Sequence, residues 1–183
     1  MQPASVTECY RRIQSAIDGE SNQRNRQMLE IYRRHWWGEV TNDMDLVMST
    51  LPADKVHYRF DGHPFVMGEG LEFFTTTEAR QMYQRVIDLG DNMAGPFADE
   101  RWAFSDWGLV FAGILYGLYS GKMFAGRIPD LEPDQKYLVS YRSVSLHPMD
   151  CERGLMLGEL VYSGRLQSVE KASDQLIEAL MDY

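Results

Sequence analysis

Two ionisable side chains stand four residues apart in an otherwise apolar helical arc: His35 and Glu39, among Met28, Leu29, Ile31, Tyr32, Trp36 and Val40. An imidazole turned into the interior accepts or relays a proton near neutral pH, and a carboxylate one turn on is its natural partner. The plainer alternative is a core histidine bonded to a backbone carbonyl. Tyr58 alternates with polar neighbours alongside Val56 and Phe60, so if that face lines a pocket its hydroxyl must bond another side chain or a ligand. Asp61 and His63 occupy the turn after this strand and could act as a base and its partner, although both residue types also serve turns for local reasons. Near the end of the chain, Gly158, Leu160 and Tyr162 share one strand face and Leu157, Glu159, Val161 and Ser163 the other, so Tyr162 and Glu159 cannot both point inward. The four histidines, His35, His57, His63 and His147, have no short ligand spacing, which argues against a metal site.

These residues need elements to hold them. Val6, Tyr10, Ile13 and Ile17 form the stripe of a first amphipathic helix closed by Gly19, and a second helix runs from about Asn22 to Val40. A short helical turn over 43–51 ends at Pro52. From Lys55 the period becomes two until Asp61 and Gly62, the mark of a strand with one buried face, and Pro64, Gly68 and Gly70 interrupt the next stretch. Thr75 and Glu78 make a capping box for a third long helix reaching Gly90. Strands are expected over 100–105, 109–119, 137–146 and 155–163, and a final helix over 168–181. The Gly/Pro-containing insertion 120–135 is too long for a tight hairpin and is the best candidate for a lid.

The chain has 183 residues, 44% hydrophobic and 25% charged, as expected of one globular domain spanning 1–183. Its net charge of −9 and the absence of any basic run speak against nucleic acid and anionic membranes as partners. Two cysteines, Cys9 and Cys151, at unrelated positions suit a reducing compartment. No basic segment followed by an apolar stretch marks the N-terminus, so a cytoplasmic location is expected.

The order helix, helix, strand, broken strand, helix, four strands resembles the nuclear transport factor 2-like superfamily, which includes ketosteroid isomerase, scytalone dehydratase, limonene epoxide hydrolase and polyketide cyclases. The segment Trp36 to Met48 looks like that family's second helix and its acidic linker, and Lys55-Val56-His57-Tyr58 falls where its first strand begins; the likeness spans about 22–164. It implies an α+β fold in which a curved antiparallel sheet wraps around a helix as a cone, with a ligand at the open end and dimerisation through the outer sheet face. It places Tyr58 at the position of a scytalone dehydratase tyrosine. It also favours Tyr162 and Leu160 as inward, leaves Glu159 on the outer face, and makes Arg142 a candidate for binding an oxyanion or carboxylate, or else a salt-bridge partner. The family's catalytic sets are not matched: Tyr58-Arg59 stands where ketosteroid isomerase has its aspartate, and Leu160 where limonene epoxide hydrolase has an acid. The candidate catalytic residues are therefore His35, Tyr58, Asp61 and Tyr162, with Trp36, Val56, Phe60, His63, Arg142 and Leu160 as substrate contacts. The expected activity is acid–base proton transfer on a small hydrophobic carbonyl, enone or polyketide- or steroid-like molecule, with no metal or organic cofactor, in a homodimer. The alternative is a binding or assembly module of the same fold, which needs the pocket but no poised acid or base.

Overall fold

A computed structural model describes residues 3–63 and 70–183; the breaks expected at Pro64 and Gly68 lie outside them. The helices are α1 (Val6–Gly19), α2 (Gln23–Val40), α3 (Met44–Ser49), α4 (Thr76–Asp88) and α5 (Asp174–Leu180). The strands are β1 (Lys55–Asp61), β2 (Leu71–Thr75), β3 (Phe97–Phe104), β4 (Gly108–Ser120), β5 (Lys136–Asp150), β6 (Leu155–Met156) and β7 (Gly158–Lys171). Local chemistry sets the helix starts. Asn22 accepts from the amides of Arg24 and Asn25 to open α2, and Thr75 and Glu78 form the expected reciprocal box at α4.

The strands assemble in the order β2-β1-β7-β5-β4-β3, with β6 paired to β5. Every pairing is antiparallel except β1 with β7, which is parallel because the whole α4–β6 segment intervenes between them. The sheet curves, unclosed, about a core drawn from α1, α2, α4 and the inner faces of the strands. Helix α4 does lie against the sheet, with Ala79, Met82, Tyr83 and Val86 buried, but α2 shares that place and is the more enclosed of the two.

Two elements differ from expectation. Residues 168–171 continue β7 rather than starting a helix, because Ser168 and Val169 pair with Ser140 and Val139 of β5; the ladder overrides the helical pattern. Helix α5 begins only at Asp174, capped by Ser173, and lays Leu180 on the outer sheet face beside Tyr116, Leu118 and Leu138. The insertion 121–135 is no cover. Its Phe124 is buried against Tyr119, and none of its residues lines the main cavity.

Gly158 sits at the start of β7 with φ +140°, and a Cβ there would come within 2.0 Å of the His57 carbonyl oxygen. Only glycine lets β7 close this near to β1. Gly158→Ala should lower stability by at least about 2 kcal/mol, read as a fall in the urea midpoint without a change in slope.

Candidate functional site

The β1–β7 register sets Tyr58 beside Glu159 and Phe60 beside Val161, and the β5–β7 register adds Ser145 next to Val161. On β5 the inward residues are Tyr141, Ser143, Ser145 and His147, so this strand turns its polar face to the interior. Together with His35, Glu39 and Trp36 of α2 and Tyr83 of α4, these strands enclose a cavity of about 60 Å³, whose apolar wall includes Phe60, Met82, Met93, Phe111 and Leu115.

Hydrogen-bond counting places a proton on Nδ1 of His35. The Thr50 hydroxyl donates its one hydrogen to the Val47 carbonyl (2.6 Å), so the bond between His35 Nδ1 and Thr50 Oγ1, 2.6 Å, must be donated by Nδ1–H. In the neutral ring Nε2 then carries the lone pair. Around Nε2 stand the Tyr83 hydroxyl at 3.2 Å, Glu39 Oε1 at 3.4 Å and the Tyr58 hydroxyl at 3.5 Å. Tyr83 gives its hydrogen to Glu39 Oε1 (2.7 Å), and Tyr58 lies 3.2 Å from Tyr83. Nε2 thus faces two hydroxyls and a carboxyl oxygen at 3.2 to 3.5 Å. Burial, reinforced by nearby carboxyls, raises the Tyr58 and Tyr83 hydroxyls well above their ordinary range, so both remain protonated donors.

Glu159 and His147 form the opposite wall. Burial first, and repulsion from Glu39 second, hold the Glu159 carboxyl well above the usual range, so it stays a neutral acid. Burial, with a smaller push from His35, lowers His147 to about 3, leaving it an uncharged imidazole. Its Nε2 bonds Ser145 Oγ at 2.9 Å, while Nδ1 faces Glu159 Oε1 across 3.9 Å and has no hydrogen bond. The pair is within ion-pair distance, yet burial favours the uncharged form of each member. His63 closes the cavity on another side; burial lowers it to about 3, and its Nε2 meets the Tyr141 hydroxyl at 3.0 Å.

The structure brings together His35, Tyr58, Trp36, Phe60 and His63, and buries Val56 in the core behind them. Four other expectations are corrected. Tyr162 is 43% exposed, and it lies with Leu160 on the outer face, while Glu159 points inward. Alternation gives two faces but not which is buried, and an acidic residue inside is rare enough that the pattern reads the wrong way round. Arg142 is exposed on the outer face for the same reason of phase. Asp61 accepts from Arg59 Nε at 2.8 Å, away from the cavity, because Gly62 at φ +73° turns the chain between Asp61 and His63. The residues missed, His147, Ser145 and Tyr141, carry a legible signal: a strand alternating Tyr-x-Ser-x-Ser-x-His has one polar face. Among the described residues no three His, Cys, Asp or Glu side chains are arranged to hold a metal ion.

Solved structures share this architecture. A candidate SnoaL-like polyketide cyclase from Shewanella putrefaciens superposes with a TM-score of 0.61 at 13% identity over 82% of this chain and 85% of its own. The chain has the nuclear transport factor 2-like fold. A candidate polyketide cyclase from Xanthomonas campestris pv. campestris aligns at TM-score 0.54 and 12% identity, over 87% of this chain and all of its own. A third such protein, from Pseudomonas putida, aligns at 0.51 and 11%, covering 73% and 88%. No protein-family model and no curated protein matches the chain. Among the described residues no helix is long and apolar enough to cross a membrane.

The buried groups give the nuclear transport factor 2-like domain a signed pH dependence. Unfolded histidines protonate near 6.5, whereas His63 and His147 resist until about 3, so the unfolded state binds more protons between these values and stability falls as pH drops through them. Glu159 has the opposite sign: its contribution is complete below the ordinary carboxylate range and is lost as pH rises through its raised value. Urea midpoints taken from pH 7 to 4 should fall less steeply in His147→Phe than in the wild type, the difference amounting to about 2 kcal/mol or more. Equal slopes would show that His147 is not held neutral.

Proposed function

We propose that the protein is an acid–base enzyme that moves a proton on a small hydrophobic carbonyl, enone or polyketide- or steroid-like substrate, as an isomerase, dehydratase or cyclase does. One observation carries this reading: the Glu159 carboxyl, which burial biases toward its protonated form, and Nε2 of His35, whose Nδ1–H is held by Thr50, line the same enclosed space. His35 takes the proton α to the carbonyl, and Glu39 stabilises the imidazolium. The O–H of Glu159 donates to the oxygen as enolate charge develops, a bond that strengthens in the transition state. Tyr58 and Tyr83 hold the hydrogen-bond chain around His35 and Glu39. The resemblance to candidate polyketide cyclases supports a polyketide-like carbonyl substrate. A fused-ring ligand needs more room than the cavity offers at rest, and the flexible thioethers of Met82 and Met93 supply it by changing rotamer.

The test needs no knowledge of the product. Exchange of the α-hydrogens of 2-tetralone and anthrone for deuterium, followed by NMR, should be accelerated by the protein. His35→Ala and Glu159→Gln should each lose roughly two to four decades of that acceleration, and Tyr58→Phe less. Binding of both ketones with no acceleration would instead favour the module that only binds.

We further propose a homodimer through the outer sheet face. Across three strands Ala112, Val144 and Tyr162 lie side by side, as do Val110, Leu146 and Leu160, leaving a continuous apolar patch in which Val144 is 40% exposed. Light scattering at micromolar concentration should give twice the 21.1 kDa chain mass, and Val144→Arg should return it to one chain.

A further inference from the structure

His147 Nδ1 is a buried nitrogen with no hydrogen-bond partner among the described residues, on a residue only 2% exposed that lines the cavity. Leaving such a group unbonded costs about 1–3 kcal/mol, so native proteins retain one where something else completes it. Across from it, Glu159 makes no hydrogen bond to any described residue; its carboxyl oxygen stands 3.9 Å from Nδ1. That is too long for a direct bond but a gap that one oxygen, at ordinary hydrogen-bond distance from both, can span.

We infer that His147 and Glu159 form a subsite for a hydroxyl group, so that the ligand is a hydrophobic ring compound bearing an alcohol, phenol or enol. The match is one of donors and acceptors. The Glu159 acid O–H donates to the ligand oxygen. In the tautomer that carries its proton on Nε2, which lies 2.9 Å from Ser145 Oγ, that oxygen donates its own hydrogen to His147 Nδ1. A carbonyl oxygen satisfies Glu159 alone and leaves Nδ1 unbonded, whereas a hydroxyl satisfies both. Tyr32 packs edge-on against the His147 ring, with centroids 5.1 Å apart, and fixes the direction in which Nδ1 points. The inference rests on the cavity being the working site proposed above, but on binding there and not on turnover.

The probes are 2-naphthol and 2-methylnaphthalene, which match in size and differ in the hydroxyl. Wild-type protein should bind 2-naphthol at least about tenfold more tightly, since a site built to bond a hydroxyl discriminates against the analogue lacking it. His147→Phe, which keeps a ring against Tyr32, should abolish the preference while holding the hydrocarbon affinity within about twofold. If that variant fails to fold, the wild type still decides: 2-naphthol should shift the ¹⁵N resonance of His147 Nδ1, and 2-methylnaphthalene should not. Equal affinities, a preference that survives His147→Phe, or an unmoved Nδ1 resonance would each overturn the subsite and leave a bridging water as the occupant. The ketone exchange assay reads separately. A hydroxyl preference without exchange would sink the enzyme and keep the subsite, and exchange without a preference would do the reverse.

Discussion

Strand β7 is held between β1 and β5 in a register that sets Glu159 beside Tyr58 and opposite His147. Side chains alternate along a strand, so a slip of one residue would expel Glu159 to solvent and bring Leu160 into the cavity. No other side chain on this wall would then supply a carboxyl. Gly158 enforces the register by allowing the β7 backbone to approach the His57 carbonyl, and the parallel pairing of β1 with β7 results from the long connection between them. The position of the proposed acid is thus a property of strand pairing, with no local sequence feature that specifies it.

Once Glu159 is inside, the electrostatics are constrained. Two carboxyls and three imidazoles share one small, mostly apolar space. Such a cluster cannot be charged throughout, because desolvation outweighs the attraction between imperfectly placed partners. The cavity resolves this by dividing the labour. The Glu159–His147 wall is neutral, whereas the His35–Glu39 pair on α2 keeps a geometry in which a proton can be accepted and its charge balanced. Thr50 anchors His35 and directs Nε2 toward Tyr83 and Tyr58, which bond each other. This separation of an acid from a base by environment is what proton transfer at neutral pH requires.

The rest of the chain supports these walls from behind. Phe124 of the insertion packs on Tyr119 at the end of β4, next to Tyr141, which in turn bonds His63. Helix α5 covers one part of the outer sheet face and leaves the strip around Val144 and Tyr162 open.

By itself the sequence determined the local elements. The Thr75 to Glu78 box, the arc of α2 and the alternation at Val56, Tyr58 and Phe60 are written in neighbouring residues, and together with the fold that the resemblance implies they bring His35 and Tyr58 together, 3.5 Å apart. The order of elements was enough for the fold. Only the tertiary structure decided which face of β5 and β7 is buried, because both faces of β7 carry apolar residues and period-two alternation is symmetric between them. It turned Tyr162, Leu160 and Arg142 outward and Glu159, Ser145 and His147 inward. It also extended β7 through residue 171 by pairing it with β5. Those outcomes depend on contacts between strands far apart in the chain; the polar alternation along β5 marks one of its faces, but no pattern among neighbouring residues of β7 encodes which side is buried.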